Sequence, residues 1–259
     1  YLIGGIMNRI DLFRQDVEAK RAIKVIAGID NFNAECVRNV VSAAEMGGAS
    51  AVDICYNEEI ISMVKEMTSL PVFVSSIVPA ELANAVRLGA DAIEVGNFDA
   101  LYKKGQRVSA EEVLNIVNET LRLLDGQKTY ICVTVPGHIE ISEQIALAMK
   151  LEEMGIDLIQ TEGAATVTPS KAGARGLLQT AEVSISNTIE LVRNTSIPVM
   201  TASGITTTTA PMAFAAGASA VGVGSCVNKL NSTIAMVAVV RSLVESVSNR
   251  ANRTELANA

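Results

Sequence analysis

Eight short apolar runs, each followed by a stretch of helical period, recur from Ala22 almost to the end of the 259-residue chain. They fall at 22–29, 51–56, 71–77, 90–96, 129–135, 156–161, 198–203 and 220–224. The runs are near-continuous in apolar residues rather than alternating, which is the pattern of strands buried on both faces of a parallel sheet. The intervening segments carry helix signals. Val37, Val40, Val41 and Ala44 share one face at helical spacing. Ser109 with Glu112 reads as a capping box opening a helix whose face is Val113, Ile116, Val117, Leu121 and Leu124. Gly48, Gly89, Gly155 and Gly217 stand where helices should end before strands. Eight βα units in series predict a (β/α)8 TIM barrel, a fold of about 250 residues around one core. An open doubly wound sheet is the alternative, and strand number and length favour closure. The barrel is expected over 7–259 as a single domain. Residues 1–6 read as an upstream extension or a cloning remnant, with Met7 a plausible natural start.

An internal repeat supports the barrel. Leu70-Pro71-Val72 resembles Ile197-Pro198-Val199, 127 residues on, and Gly89-Ala90 resembles Gly217-Ala218, 128 residues on. Strands 3 and 4 thus map onto strands 7 and 8, as two half-barrels would. Gly48 and Gly155 are only 107 residues apart. The register therefore gains 20 residues after strand 6, within 163–184. A long polar, glycine-bearing loop at the C-terminal face is a candidate lid, with Thr166, Thr168, Lys171 and Arg175 able to meet a ligand.

Composition removes several function classes. Hydrophobic residues are 49% of the chain and charged residues 19%, so it can bury a large core and disorder is excluded as the main state. A net charge of −7, no Trp and 3% aromatics argue against a nucleic-acid partner, which needs a basic surface and stacking platforms. The four cysteines form no C-x-x-C pair and His138 is the one histidine, so no structural zinc site and no other metal is expected. Cysteines spaced this thinly point to a reducing compartment. The nearest approach to a membrane span is the seven residues 234–240, far short of about 20, so an integral membrane protein is not expected.

The chemistry is expected at strand ends. Strand 7 runs into Ser203-Gly204 and strand 8 into Gly224-Ser225. Glycine corners bring backbone N–H groups close to an anion, and barrels often hold phosphate between these two loops. Ser203, Gly204, Gly224 and Ser225 are therefore the expected phosphate-binding residues. Lys24 interrupts strand 1, and an ammonium inside a barrel needs a partner or a job. Asp53, Glu94 and Glu162 stand in or just after strands 2, 4 and 6. Glu162 is placed best, directly before the lid. Lys24 and Glu162 are the expected catalytic pair, and any two of Asp53, Glu94 and Glu162 that point inward could serve as acid and base or counter Lys24. His138 after strand 5 and Cys55 near the end of strand 2 are weaker candidates.

The segments Ile23-Lys24-Val25-Ile26-Ala27-Gly28, Gln160-Thr161-Glu162-Gly163, Val199-Met200-Thr201-Ala202-Ser203-Gly204 and Gly222-Val223-Gly224-Ser225-Cys226-Val227-Asn228-Lys229-Leu230-Asn231 together resemble the hypothetical chloroplast reading-frame family number twenty-three. The similarity spans roughly residues 7–248. It implies a barrel similar to the ribulose-phosphate-binding and flavin-dependent barrels, in a plastid stroma or a cyanobacterial cytoplasm, and it supplies no reaction. Three functions follow as expectations. The first is a protein binding a phosphorylated small molecule, with isomerase- or lyase-type chemistry. The second is an oxidoreductase holding FMN in the same phosphate cup. The third is a non-catalytic partner or regulator of plastid or photosynthetic assemblies. Homo-oligomerisation, with the apolar last helix at 234–247 as a contact, is a further expectation.

Overall fold

The structure is a computed structural model that describes residues 8–102, 104–163 and 169–257. The expected extension at 1–6 and the lid residues Thr166 and Thr168 lie outside the described residues. Eight parallel strands form a closed barrel in sequence order. They are β1 (Ala22–Gly28), β2 (Ala51–Cys55), β3 (Val72–Ser76), β4 (Ala92–Val95), β5 (Tyr130–Val135), β6 (Leu158–Thr161), β7 (Val199–Thr201) and β8 (Ala220–Val223). Helix α1 (Arg9–Glu18) precedes β1, and α2 (Ala34–Gly47), α3 (Glu58–Met67) and α4 (Pro79–Arg87) follow the first three strands. A short α5 (Asp99–Tyr102) and α6 (Ala110–Leu124) follow β4, with α7 (Ile141–Glu153) after β5 and α8 (Ala174–Asn194) after β6. The last units carry α9 (Ala210–Ala215), the four-residue α10 (Ser225–Asn228) and α11 (Thr233–Ala257). The chain is thus the (β/α)8 TIM barrel expected, with β1 pairing β8 through Lys24 opposite Gly222.

Strand alternation sorts the side chains. Ile23, Val25, Val52, Val74, Ile93, Val133 and Val221 pack outward in the main core with the helices. The other parity fills the barrel. At its N-terminal end lie Ala22, Ala51, Phe73, Ala92, Tyr130, Leu158, Met200 and Ala220. Helix α1 plugs this end. Its Ile10, Phe13 and Val17 fall at helical spacing, and Phe13 meets Phe73 and Tyr130 edge-to-face at centroid distances of 5.0 and 5.8 Å. Such contacts add to the area buried. The eight-unit reading of the sequence does not include α1, because a helix before the first strand belongs to no βα unit.

Two helices refine the sequence reading. Helix α8 begins at Ala174, so the residues from 174 to 184 are helical and the segment after β6 ends at Gly173. Its buried positions include Ala181, Ser184, Thr188 and Leu191. Three of these are small or polar, so the helical period is faint in an apolar pattern. Helix α11 lies on α2 and buries Met236, Val237, Val240, Leu243 and Val247, which closes the seam between the first and last units. No described helix is long and apolar enough to cross a membrane.

Candidate functional site

Above the apolar plug, the inward residues change character. Lys24, Asp53, Ser75, Glu94, Thr134 and Gln160 form a belt of buried polar side chains across the barrel. The Lys24 ammonium sits 3.1 Å from Asp53 and hydrogen-bonds Glu94. Ser75 donates to Asp53 at 2.6 Å, and the Gln160 amide donates to Glu94 at 2.7 Å. The Phe73 ring lies 5.0 Å from the ammonium. One positive charge faces two carboxylates, all three side chains buried. Burial favours a neutral Lys24, yet Asp53 and Glu94 outweigh it and hold the pKa well above the usual lysine value. Burial pushes Asp53 up to about 6, and the Glu94 charge adds to the rise against the pull of Lys24. The side-chain oxygen of Gln160 is buried and has no hydrogen-bond partner among the described residues. The sequence asks for a partner or a job for Lys24, and the geometry supplies partners, a buried ion pair with Asp53 and Glu94. Ser75, Thr134 and Gln160 were invisible as site residues, being common strand residues whose parity alone marks them.

One step nearer the C-terminal rim lies a second cluster. Glu162, directly after β6, is 1% exposed. Its carboxylate accepts from the Phe98 N–H at 3.0 Å and from the Tyr102 hydroxyl at 2.6 Å. The His138 Nδ1 lies 3.1 Å from the same hydroxyl, with the two rings edge-to-face. Backbone packing builds this meeting point. A Cβ on Gly137 would stand 2.1 Å from the Glu162 carbonyl oxygen, so only glycine lets the β5 turn approach β6 and set His138 beside Tyr102. The Arg107 guanidinium lies over the Tyr102 ring at 4.8 Å. Partial burial, reinforced by Arg107, lowers the His138 pKa from its usual value. Tyr102 was missed in the sequence because α5 is four residues long and leaves no periodic signal.

Lys24 and Glu162, the expected catalytic pair, thus end on different partners: the ammonium on Asp53 and Glu94, the carboxylate on Phe98 and Tyr102. Cys55 is buried, its thiol donates to the Asn31 carbonyl at 3.1 Å, and burial raises its pKa to about 11, which makes it a poor nucleophile. Among the described residues no group of three or more His, Cys, Asp or Glu side chains is placed to hold a metal ion.

The expected phosphate residues come together at the C-terminal rim on adjacent strands, since β7 pairs β8. Ser203 and Gly204 have φ of +73° and +72°, two successive left-handed residues after β7. The α8 backbone fixes this turn: a Cβ on Gly204 would lie 2.2 Å from the Thr180 carbonyl oxygen, and Ser184 hydrogen-bonds the Ala202 carbonyl. Gly224 is the N-cap of α10, whose Val227 and Asn228 N–H groups return to its carbonyl. The first N–H groups of that turn, at Ser225 and Cys226, have no acceptor within the helix. Ser203, Gly204 and Gly224 are half-buried and Ser225 is exposed, so the corner is open to a ligand. Lys171 and Arg175 are both exposed, Arg175 in the first turn of α8.

Fold and rim together define a TIM-barrel protein with polar chemistry confined to the barrel's middle and C-terminal end. The chain belongs to the family described as a protein of unknown function, DUF561, whose model matches residues 6–253. It is 38% identical over 240 residues to the uncharacterized protein ycf23 of Antithamnion sp., covering 89% of this chain and 86% of the relative. It is 37% identical over 246 residues to that of Cyanophora paradoxa, covering 95% and 97%. This agrees with the resemblance seen in the sequence. Among solved structures, it is similar to (S)-3-O-geranylgeranylglyceryl phosphate synthase from Thermoplasma acidophilum in complex with substrate sn-glycerol-1-phosphate. That match has a TM-score of 0.60 at 17% identity, covering 93% of this chain and 99% of the other. A thiamine phosphate pyrophosphorylase from Pyrococcus furiosus matches with a TM-score of 0.55 at 20% identity, covering 89% and 96%. A 3-hexulose-6-phosphate synthase matches with a TM-score of 0.63 at 13% identity, covering 87% and 99%. At these identities the likeness shows the shared barrel.

Proposed function

We propose that this protein binds a phosphorylated small molecule at the β7–β8 corner and acts on it with isomerase- or lyase-type chemistry. The observation that carries the reading is the pairing of two left-handed residues, Ser203 and Gly204, with the uncapped first turn of α10 on the neighbouring strand. Both present backbone N–H groups, and an anion is the ligand that such groups bind best. The names of the similar solved structures, each involving a phosphate compound, support the same class. Glu162 is the group assigned to move a proton at the ligand. Lys24 is assigned to polarise a carbonyl from the level below, with its charge kept by Asp53 and Glu94. Lys171 and Arg175 are assigned to the lid. Membership of the family supports a plastid stroma or a cyanobacterial cytoplasm as the location.

Native mass spectrometry of freshly purified protein tests the reading. A retained phosphorylated compound, held less firmly in S203A, which removes only the hydroxyl, and lost in G224W, is the expected result. Unchanged retention in G224W, with the fold intact by circular dichroism, would remove the cup from the site. A retained mass of FMN would turn the reading to the oxidoreductase. No retained compound, no response to added inorganic phosphate and stable co-purification with a larger assembly would turn it to the non-catalytic partner.

A further inference from the structure

Glu162 is almost wholly enclosed, and a carboxylate that moves a proton must exchange it with something. The hydrogen bonds around it leave little freedom in how. A tyrosine hydroxyl has one proton to give. With Glu162 ionised, that proton goes to the carboxylate at 2.6 Å. The His138 Nδ1, 3.1 Å from the same oxygen, must then be the donor, which fixes the imidazole as the Nδ1–H tautomer. Among the described residues its Nε2 has no hydrogen-bond partner, and the residue is half-exposed.

We propose that His138 and Tyr102 form a directional proton relay that connects the buried Glu162 to the open rim, a proposal that rests on Glu162 as the proton-moving group of the reading above. A proton arriving at Nε2 makes an imidazolium. Its Nδ1 proton passes to the Tyr102 oxygen, and the Tyr102 proton passes to Glu162. The result is a neutral Nε2–H histidine, an intact tyrosine now donating to Nδ1, and a protonated Glu162. One proton enters and one is delivered, and each bond that breaks is replaced. Among the described residues, the charged and titratable groups facing His138 are Tyr102 from α5, Arg107 from the segment before α6 and, through Tyr102, Glu162 after β6. His138 and Tyr102 are positioning residues here, since they act on a ligand through Glu162.

The relay has a signature that needs no ligand. His138 is the single histidine in the chain, so a ¹⁵N-histidine-labelled sample of the full chain gives one imidazole spin system. At about pH 8, above the ordinary imidazole range, the wild type should show Nδ1 protonated and Nε2 bare. In E162Q the Phe98 N–H still requires an acceptor, so the new amide turns its oxygen to Phe98 and its NH₂ to Tyr102. The tyrosine proton, no longer taken by a carboxylate, should turn to His138, and the two ring nitrogens should exchange protonation states. Y102F removes the chain at its centre and should also abolish the Nδ1–H form. It serves as the second variant if E162Q folds poorly. A wild-type histidine in the Nε2–H form, or Nδ1–H persisting in folded E162Q and Y102F, would overturn the relay. A site merely packed together predicts no such reversal. Because the spectrum is read on the empty protein, it is independent of the mass measurement. A reversed tautomer with no phosphate compound bound would keep the relay's wiring and reject the phosphate reading, and a bound compound with an unmoved tautomer would do the opposite.

Discussion

The barrel holds two ionisable clusters, one stacked above the other along the strands, and they are built on opposite plans. The Lys24–Asp53–Glu94 belt is closed: its charges are sealed from water and answered mainly by one another. The Glu162–Tyr102–His138 cluster is graded, with a carboxylate at 1% exposure at one end and a half-exposed imidazole at the other. Burial of charge is common to both, so burial alone does not tell a group that moves a proton from one that keeps a fixed charge. A path outward separates the two. In the belt one cation faces two carboxylates, so Lys24 stays charged while Asp53 can take up a proton and leave the Lys24–Glu94 pair balanced. The rim can pass a proton because its two hydrogen-bond directions are both satisfied.

The comparison breaks most visibly at Lys24. K24M leaves two carboxylates facing each other without a cation, and removing one partner from such a buried cluster costs about 3–5 kcal/mol. Urea denaturation should show that loss, with partial recovery when E94Q is added. Wild-type stability in K24M would mean that the belt is solvated and the contrast false. Next in size is the rim's anion corner. S203A should weaken inorganic phosphate binding by about 10–100-fold, the loss of one hydrogen bond to a charged group, with little change in the melting temperature. Calorimetric titration reads the first and thermal unfolding the second. A smaller effect concerns pH. The Asp53 pKa is raised from 3.8 to about 6 in the folded state, so the native protein holds a proton that the unfolded chain has already released in that window. Its contribution to stability is therefore greatest below about pH 4, falls as pH rises to about 6 and is level above. D53N should flatten that part of the stability–pH curve, and a curve of unchanged slope would assign it to other groups. The smallest stability change is expected at the rim, where H138Q should lower stability by under about 1 kcal/mol. A loss as large as that of K24M would make the two clusters alike.

Much of the barrel was legible because parallel strands buried on both faces write long apolar runs, and each βα unit repeats the sign. The glycine-bearing corner after β7 and β8 was legible for a related reason, since glycines at successive strand ends have a geometric cause visible in one dimension. Lys24 stood out as a charge inside an apolar run, and Asp53, Glu94 and Glu162 stood out as the strand-end carboxylates able to answer it, without a sign of which two would. What stayed hidden was anything that depends on two turns meeting. Tyr102 sits 60 positions from Glu162 and 36 from His138, and nothing local to any of the three announces the others. The approach rests on Gly137, whose neighbour across the gap is a backbone carbonyl rather than a side chain. The plug α1 was hidden differently, because it lies outside the repeating unit from which the fold was inferred.

The seam between the first and last units has a consequence for biogenesis. Lys24 on β1 pairs in register with Gly222 on β8, and the Asn228 side chain reaches back to the Ile26 carbonyl at 2.9 Å. The cylinder therefore cannot shut until nearly all of the chain has left the ribosome. Until then the sheet is an open ribbon, and its charged residues remain hydrated on an unfinished inner face. Dehydration of these groups is thus postponed to a late, long-range closing event, the kind of step that slows folding and leaves a partly made chain exposed to aggregation. Truncation within α11 would leave that ribbon without the helix that latches its two edges, and nascent chains of this protein should depend on chaperones until the latch is in place.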